Sequence, residues 1–177
     1  MQRVAIIGSA GRKQDAAHVS VKTFQWIVDK CRVETSAEDT LISGGAAFAD
    51  HAAVVLALER GNPLVLELPA PWDSGQKRYQ ATSAGRISNY YHEQFSKACG
   101  QPAHYTLHQL DAALRLPNTE KHESNGFFQR NSLVAESCDK MLAFVLHQPT
   151  AAGPSGGTGN TWRKCSKPRV CHVIPTE

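Results

Sequence analysis

Several things are missing from this 177-residue sequence. No apolar run approaches the ~20 residues that a membrane-spanning helix needs. The first run, Val4 to Ile7, goes straight into glycine and is too short for the core of a secretory signal, so a cytoplasmic location is expected. The five cysteines are odd in number, scattered and without a CxxC pair, which argues against a disulfide framework or a structural zinc site. Cys165, Cys171 and His172 lie close together in sequence, but residues on or beside a buried strand read as core, and no metal is expected. Charge of one sign is also scarce. A formal net charge of +3, with aromatics at 7%, gives no electrostatic case for a nucleic-acid partner. No GxGxxG is followed by an acid about twenty positions on, which removes the ordinary NAD-dependent dehydrogenase. No GxxxxGK[ST] occurs, which removes the P-loop NTPase. No cofactor is expected.

What is present is a rhythm. Short continuous apolar runs suit strands buried on both faces, and they fall at Val4–Ile7, Thr40–Ser43, Leu64–Leu68, Met141–Leu146 and Val170–Ile174. Between them lie helical patterns. His18 to Arg32 places Phe24, Ile27, Val28 and Cys31 on one stripe. Phe48 to Arg60 is rich in alanine and leucine and stops at Gly61-Asn62-Pro63. Phe127 to Asp139 turns Leu133 and Val134 to the core, and a short helix follows Gly156. Strands alternating with helices imply right-handed βαβ units. The expected fold is a Rossmann-like three-layer α/β/α sandwich with a mainly parallel sheet of about five strands, forming one domain over 1–177. An insertion at about 69–126 interrupts it, with a helix expected near Ala84–Cys99, another short element near Leu107–Leu116 and no strand. Tyr90, Tyr91 and Phe95 are expected to pack on the core from one helical side.

Three glycine-rich loops follow strands: Gly8-Ser9-Ala10-Gly11-Arg12, Ser43-Gly44-Gly45-Ala46, and Gly156-Gly157-Thr158-Gly159. A loop of this kind at a helix N-terminus bares N–H groups with no intrahelical partner, and the helix dipole adds positive character. Thr158 and Thr161 add hydroxyl donors. In open parallel sheets ligands bind beyond the carboxyl ends of the strands, so the three loops are expected to share one pocket. Arg130-Asn131, on the helix before the fourth strand, adds a guanidinium able to fork two phosphate oxygens and an amide able to bond ribose or base. Arg163, Lys164, Lys167 and Arg169 gather after the last glycine loop, either to steer a phosphorylated ligand or as a solvated helix end.

GSAGR, SGGAAFAD (Ser43 to Asp50), QRNSLVAESCDKMLAF (Gln129 to Phe144) and GGTGNT (Gly156 to Thr161) occur in the order seen in the SLOG superfamily. That superfamily includes the cytokinin-activating LOG phosphoribohydrolases, the lysine-decarboxylase-like proteins and the DNA-processing protein DprA. The resemblance covers both ends of the chain and not the 69–126 segment. It implies a Rossmann-like fold, a nucleotide or nucleotide-derived ligand, and a homodimer. By position, Arg130 resembles the superfamily's ligand-facing arginine. Gly156, Gly157, Thr158 and Thr161 resemble its phosphate loop, and Gly44, Gly45 and Asp50 the segment after the second strand. The LOG enzymes carry PGGxGTxxE, whose glutamate helps cleave an N-glycosidic bond; here Trp162 and Arg163 stand where that acid would be. Phe48 replaces a glycine the superfamily often has, which would tighten the second loop or hold a base by stacking.

Beside an interaction module that would use Arg163 to Arg169 on nucleic acid, for which the basic charge is thin, the residues leave two functions open. One is binding of a nucleotide or nucleotide derivative through Gly8, Ser9, Arg12, Ser43, Gly44, Gly45, Asp50, Arg130, Asn131, Gly156, Gly157, Thr158, Gly159 and Thr161. The other is hydrolysis of the N-glycosidic bond of a nucleoside monophosphate or related nucleotide, with Arg130 on phosphate. The carboxylate that such chemistry ordinarily requires would be Asp50 or an insertion residue such as Glu93. Glu136, six positions from Arg130 on the same helix, faces elsewhere.

Overall fold

The computed structural model describes residues 1–177. Its elements, in chain order, are β1 (Arg3–Gly8), α1 (Val21–Glu34), β2 (Thr40–Ser43), α2 (His51–Arg60), β3 (Leu64–Leu68), β4 (Trp72–Asp73), β5 (Arg78–Tyr79), α3 (Ser83–Ala98), α4 (Tyr105–Leu114), β6 (Thr119–Glu123), α5 (Phe127–Ser137), β7 (Lys140–Val145), α6 (Gly156–Lys164) and β8 (Arg169–Val173). Six strands form one all-parallel sheet in the order β6-β3-β2-β1-β7-β8, while β4 and β5 make a separate two-residue antiparallel pair. The architecture is the three-layer α/β sandwich, with helices on both faces.

Alternation along each buried strand builds the two halves of the core. Val4 and Ile6 of β1, with Leu64 and Leu66 of β3, pack under α1 to α4; Ala5 and Ile7, with Val65, pack under α5 and α6. Successive side chains of a strand point to opposite faces, so a run such as Val4–Ile7 is apolar at every position because both faces are covered. Helix starts follow local chemistry. Ser20 caps α1 through a reciprocal bond pair with Thr23, so the helix opens at Val21 rather than at His18. A 3-10 turn, Phe48–Asp50, takes the first residues of the segment expected to be helical from Phe48. All five cysteines are free thiols; Cys138 and Cys165, at the C-terminal ends of α5 and α6, bring their sulfurs to 3.8 Å.

The 69–126 segment, expected to hold no strand, contains the short β4–β5 pair and a strand of the main sheet. β6 pairs with β3 in parallel, from Leu64↔Thr119 to Leu68↔Glu123, so α3 and α4 lie within the crossover from β3 to β6. This strand, TEKHE, has no apolar residue and is exposed along nearly its whole length. As the edge of the sheet it is held by backbone bonds to one neighbour, which no hydrophobic pattern reveals. Tyr90 also departs from expectation. It is 54% exposed, whereas Phe95 is buried and Tyr91 partly so.

Candidate functional site

The sheet order changes direction between β1 and β7. The chain leaves β1 toward α1 on one face and leaves β7 toward α6 on the other, so the loops at their carboxyl ends part and open a crevice. A hollow of about 560 Å³ lies there. Gly8, Ser9, Arg12, Asp50, Arg130, Asn131, Gly156, Gly157, Thr158 and Thr161 all line it. Segments far apart in sequence thus meet at one place.

The first loop closes tightly against β7. Ser9 N–H donates to the Phe144 carbonyl at 2.9 Å. A Cβ on Gly8 would stand 2.1 Å from that carbonyl oxygen, so only glycine permits the approach. Arg12 is exposed, its guanidinium 4.8 Å from the Tyr91 ring centroid and 5.2 Å from that of Phe127. Stacking of this kind holds the cation over the hollow without neutralising it.

The last loop is the open one. Ser155 precedes α6 and makes no side-chain cap. The N–H groups of Gly156, Gly157 and Thr158 reach no protein acceptor, the first bonded amide being Gly159, which donates to the Ser155 carbonyl at 3.1 Å. Thr161 is buried, and its hydroxyl donates back to the Gly157 carbonyl at 3.2 Å, so it is not a free donor. Gly159 faces the Pro154 carbonyl rather than the hollow, a packing position.

The second loop does not line the hollow as a cradle; only Ala46 and Asp50 reach it. Gly44 N–H donates to Asp50 Oδ2 at 3.2 Å and Gly45 N–H to Ser43 Oγ at 3.1 Å, while Ser43 Oγ donates to the Asp50 carbonyl at 3.0 Å. The Gly44 carbonyl accepts from Arg130 Nη1 at 2.5 Å. The Gly45 carbonyl accepts from the Tyr79 hydroxyl at 2.8 Å and from His92 Nε2 at 2.9 Å. Ser43, Gly44 and Gly45 therefore form a socket that positions Asp50 and Arg130, and of the three loops expected to share one pocket the first and the last line the hollow while the second stands behind it. Phe48 does not stack on a base. It is fully buried, with ring centroids 5.9 Å from Phe95 and 6.4 Å from Phe24. Its φ of 65° lies in the left-handed region that favours glycine, and the core contacts of the ring offset that backbone cost.

Asp50 is the electrostatic centre of the site. Burial pushes its carboxyl up to about 6, against the opposing pull of the Arg130 charge and of the Gly44, Gly8 and Ala46 amides. Burial likewise lowers Arg130, with Asp50 acting the other way. Arg130 Nε donates to Asn131 Oδ1 at 2.8 Å, and Asn131 Nδ2 donates to Asn160 Oδ1 at 3.1 Å, so α5 and α6 are tied at the hollow. Glu93 is elsewhere, 3.8 Å from Arg78 and 3.7 Å from His104, and Glu136 is exposed. Asp15 and His147, not singled out in the sequence, also line the hollow. Asp15 accepts from Ser9 Oγ at 2.6 Å and faces His147 Nε2 at 3.1 Å. His147 stands directly beyond the carboxyl end of the fourth apolar run, the signal by which it could have been found.

Fold and hollow together define a Rossmann-like α/β protein with a polar crevice at the carboxyl ends of its central strands. The chain belongs to the family of an uncharacterized protein of Acanthamoeba polyphaga mimivirus, to which it is 36% identical over 170 residues, spanning 92% of this chain and 90% of the relative. No family model matches. Among solved structures it is similar to DNA processing protein A of Streptococcus pneumoniae, with a TM-score of 0.38 and 15% identity, over 95% of this chain and 58% of that one. A likeness of that degree carries nothing about ligand or partner. No helix is long and apolar enough to cross a membrane.

Proposed function

We propose that the protein binds a nucleotide or nucleotide-derived small molecule in the hollow over β1 and β7, as its resemblance to the SLOG superfamily implies. The observation that carries this reading is the set of three amides without acceptors at the start of α6, on residues lining the same hollow as Arg130 and Arg12. Unpaired N–H groups at a helix N-terminus attract phosphate, and a guanidinium nearby adds charge-assisted bonds. A volume of about 560 Å³ lies within the range of small-molecule pockets. Titration calorimetry with a panel of nucleotides tests the reading. Arg130→Ala is expected to weaken the bound nucleotide by about 1.5–3 kcal/mol, the scale of a hydrogen bond to a charged group. Unchanged affinity together with a large fall in melting temperature would show that the arginine only braces the Gly44 carbonyl.

A second reading is hydrolysis of the N-glycosidic bond, and Asp50 favours it. A buried carboxyl with its pKa pushed up to about 6, lining the hollow, is suited to proton transfer near neutral pH. It would supply the carboxylate missing where Trp162 and Arg163 stand. Incubation with nucleoside monophosphates, followed by chromatography for free base, separates the readings. Base release abolished by Asp50→Asn supports hydrolysis; tight binding with the nucleotide recovered intact leaves binding alone. The homodimer that the resemblance implies belongs to the same proposal, and sedimentation tests it.

A further inference from the structure

A second hollow, of about 380 Å³, adjoins the first across the start of α6. The two share Ser9, Asp15, His147, Ser155 and Thr158 as a common wall. Of the three residues with unpaired amides, Thr158 lines both hollows, so the helix start borders each of them.

The four basic residues after the glycine loop separate by role. Arg169 lies 4.8 Å from the Trp162 ring centroid and donates to the Trp162 carbonyl at 2.7 Å. Lys164 reaches Ser132 Oγ at 2.9 Å on α5. Lys167 lies past the helix and lines neither hollow. Arg163 alone of the four lines the second hollow, exposed and engaged by no carboxylate. Asp15, in the shared wall, is already committed to the Ser9 hydroxyl and to His147. The second hollow therefore offers an unneutralised guanidinium separate from Arg130, which lines only the first.

We infer that the ligand carries two linked phosphates, and that the Arg163 hollow receives the second. Resting on the nucleotide reading above, this narrows the ligand to a nucleoside diphosphate or a diphosphate-linked derivative. The phosphate pair runs across the start of α6, one phosphate toward Arg130 and the other toward Arg163. A guanidinium in each of two adjoining hollows, with a helix start bordering both, matches a chain of two anionic groups better than a single one.

The test is calorimetry on the full chain with matched nucleoside mono- and diphosphates, with a chelator present to remove divalent cations. The unmodified protein is expected to bind the preferred diphosphate at least tenfold more tightly than its monophosphate. Arg163→Gln should erase that preference while leaving monophosphate affinity within twofold. Lys164→Gln, the same charge change on the same helix but directed at α5, should leave the preference intact. Equal affinities for mono- and diphosphate, or equal losses with Arg163→Gln and Lys164→Gln, would overturn the inference while leaving the nucleotide reading standing. Failure of every nucleotide to bind would overturn both.

Discussion

The loops after β2 and before α6 are built from the same residues, glycine with serine or threonine, at the same end of the same sheet. They behave in opposite ways. Around Gly44 and Gly45 both amides and both carbonyls are engaged by Asp50, Ser43, Arg130, Tyr79 and His92. At Gly156 and Gly157 the amides have no protein acceptor. Glycine in the first case allows a crowded backbone to exist; in the second it leaves the backbone bare. The difference teaches that glycine content marks close approach, and that the fate of the neighbouring N–H groups decides whether the approach is by protein or by ligand.

Substitutions in the two loops sharpen that contrast. Gly45→Ala is expected to have the largest effect. The residue has φ of 69°, and a Cβ would lie 2.3 Å from the Tyr79 hydroxyl and 2.6 Å from Leu68 Cδ2. Backbone strain and overpacking together should destabilise by about 3 kcal/mol, read as a lower urea midpoint. A midpoint that does not move would mean the socket is slack.

Acid titration probes the socket from behind. Burial, together with the nearby His92 charge for His51, drives His51 down to about 3, and burial drives His92 down to about 4, below the ordinary histidine value. The unfolded chain therefore takes up protons on these residues first as pH falls. Their contribution is fully present above roughly pH 6.5 and is lost as pH drops toward 4. Asp50 opposes this, because its raised pKa makes the folded state the better proton acceptor between about 6 and 4. Two histidines outweigh one carboxyl, so the melting temperature should fall from pH 7 to pH 4.5. A rise over that range would mean that Asp50 dominates.

Tyr79→Phe removes one of two donors to the Gly45 carbonyl and leaves His92 in place. A loss of about 1 kcal/mol is expected by chemical denaturation, the usual net worth of a hydrogen bond. The smallest effect belongs to the open loop. Gly157→Ala meets nothing within 4 Å. Stability should be unchanged or higher by about 0.5 kcal/mol, since alanine favours the helix. A loss comparable to that of Gly45→Ala would erase the distinction between the two loops.

The strands buried on both faces were legible because burial leaves a mark in composition; Leu64 to Leu68 contains one polar residue, Glu67. Thr119 to Glu123 was not legible, because its place in the sheet depends on what β3 offers its backbone rather than on its side chains. The hollow was legible in part for a similar reason. Strand ends and helix starts are readable, so Gly8 and Gly157 could be brought together from the sequence. That Gly45 turns its carbonyl toward Tyr79 and His92 depends on how the 69–126 segment folds behind it. Asp15 was hidden by its 3-10 turn, too short to leave a periodic signature.

The polar border strand also bears on how copies of this protein meet. Its outer backbone groups have no strand beyond them, and an open row of that kind ordinarily invites a neighbouring chain to zip on. Glu120, Lys121 and Glu123 put charges of both signs along that rim. Charged rims discourage such additions, so crowded copies have little tendency to grow into ribbons from this side.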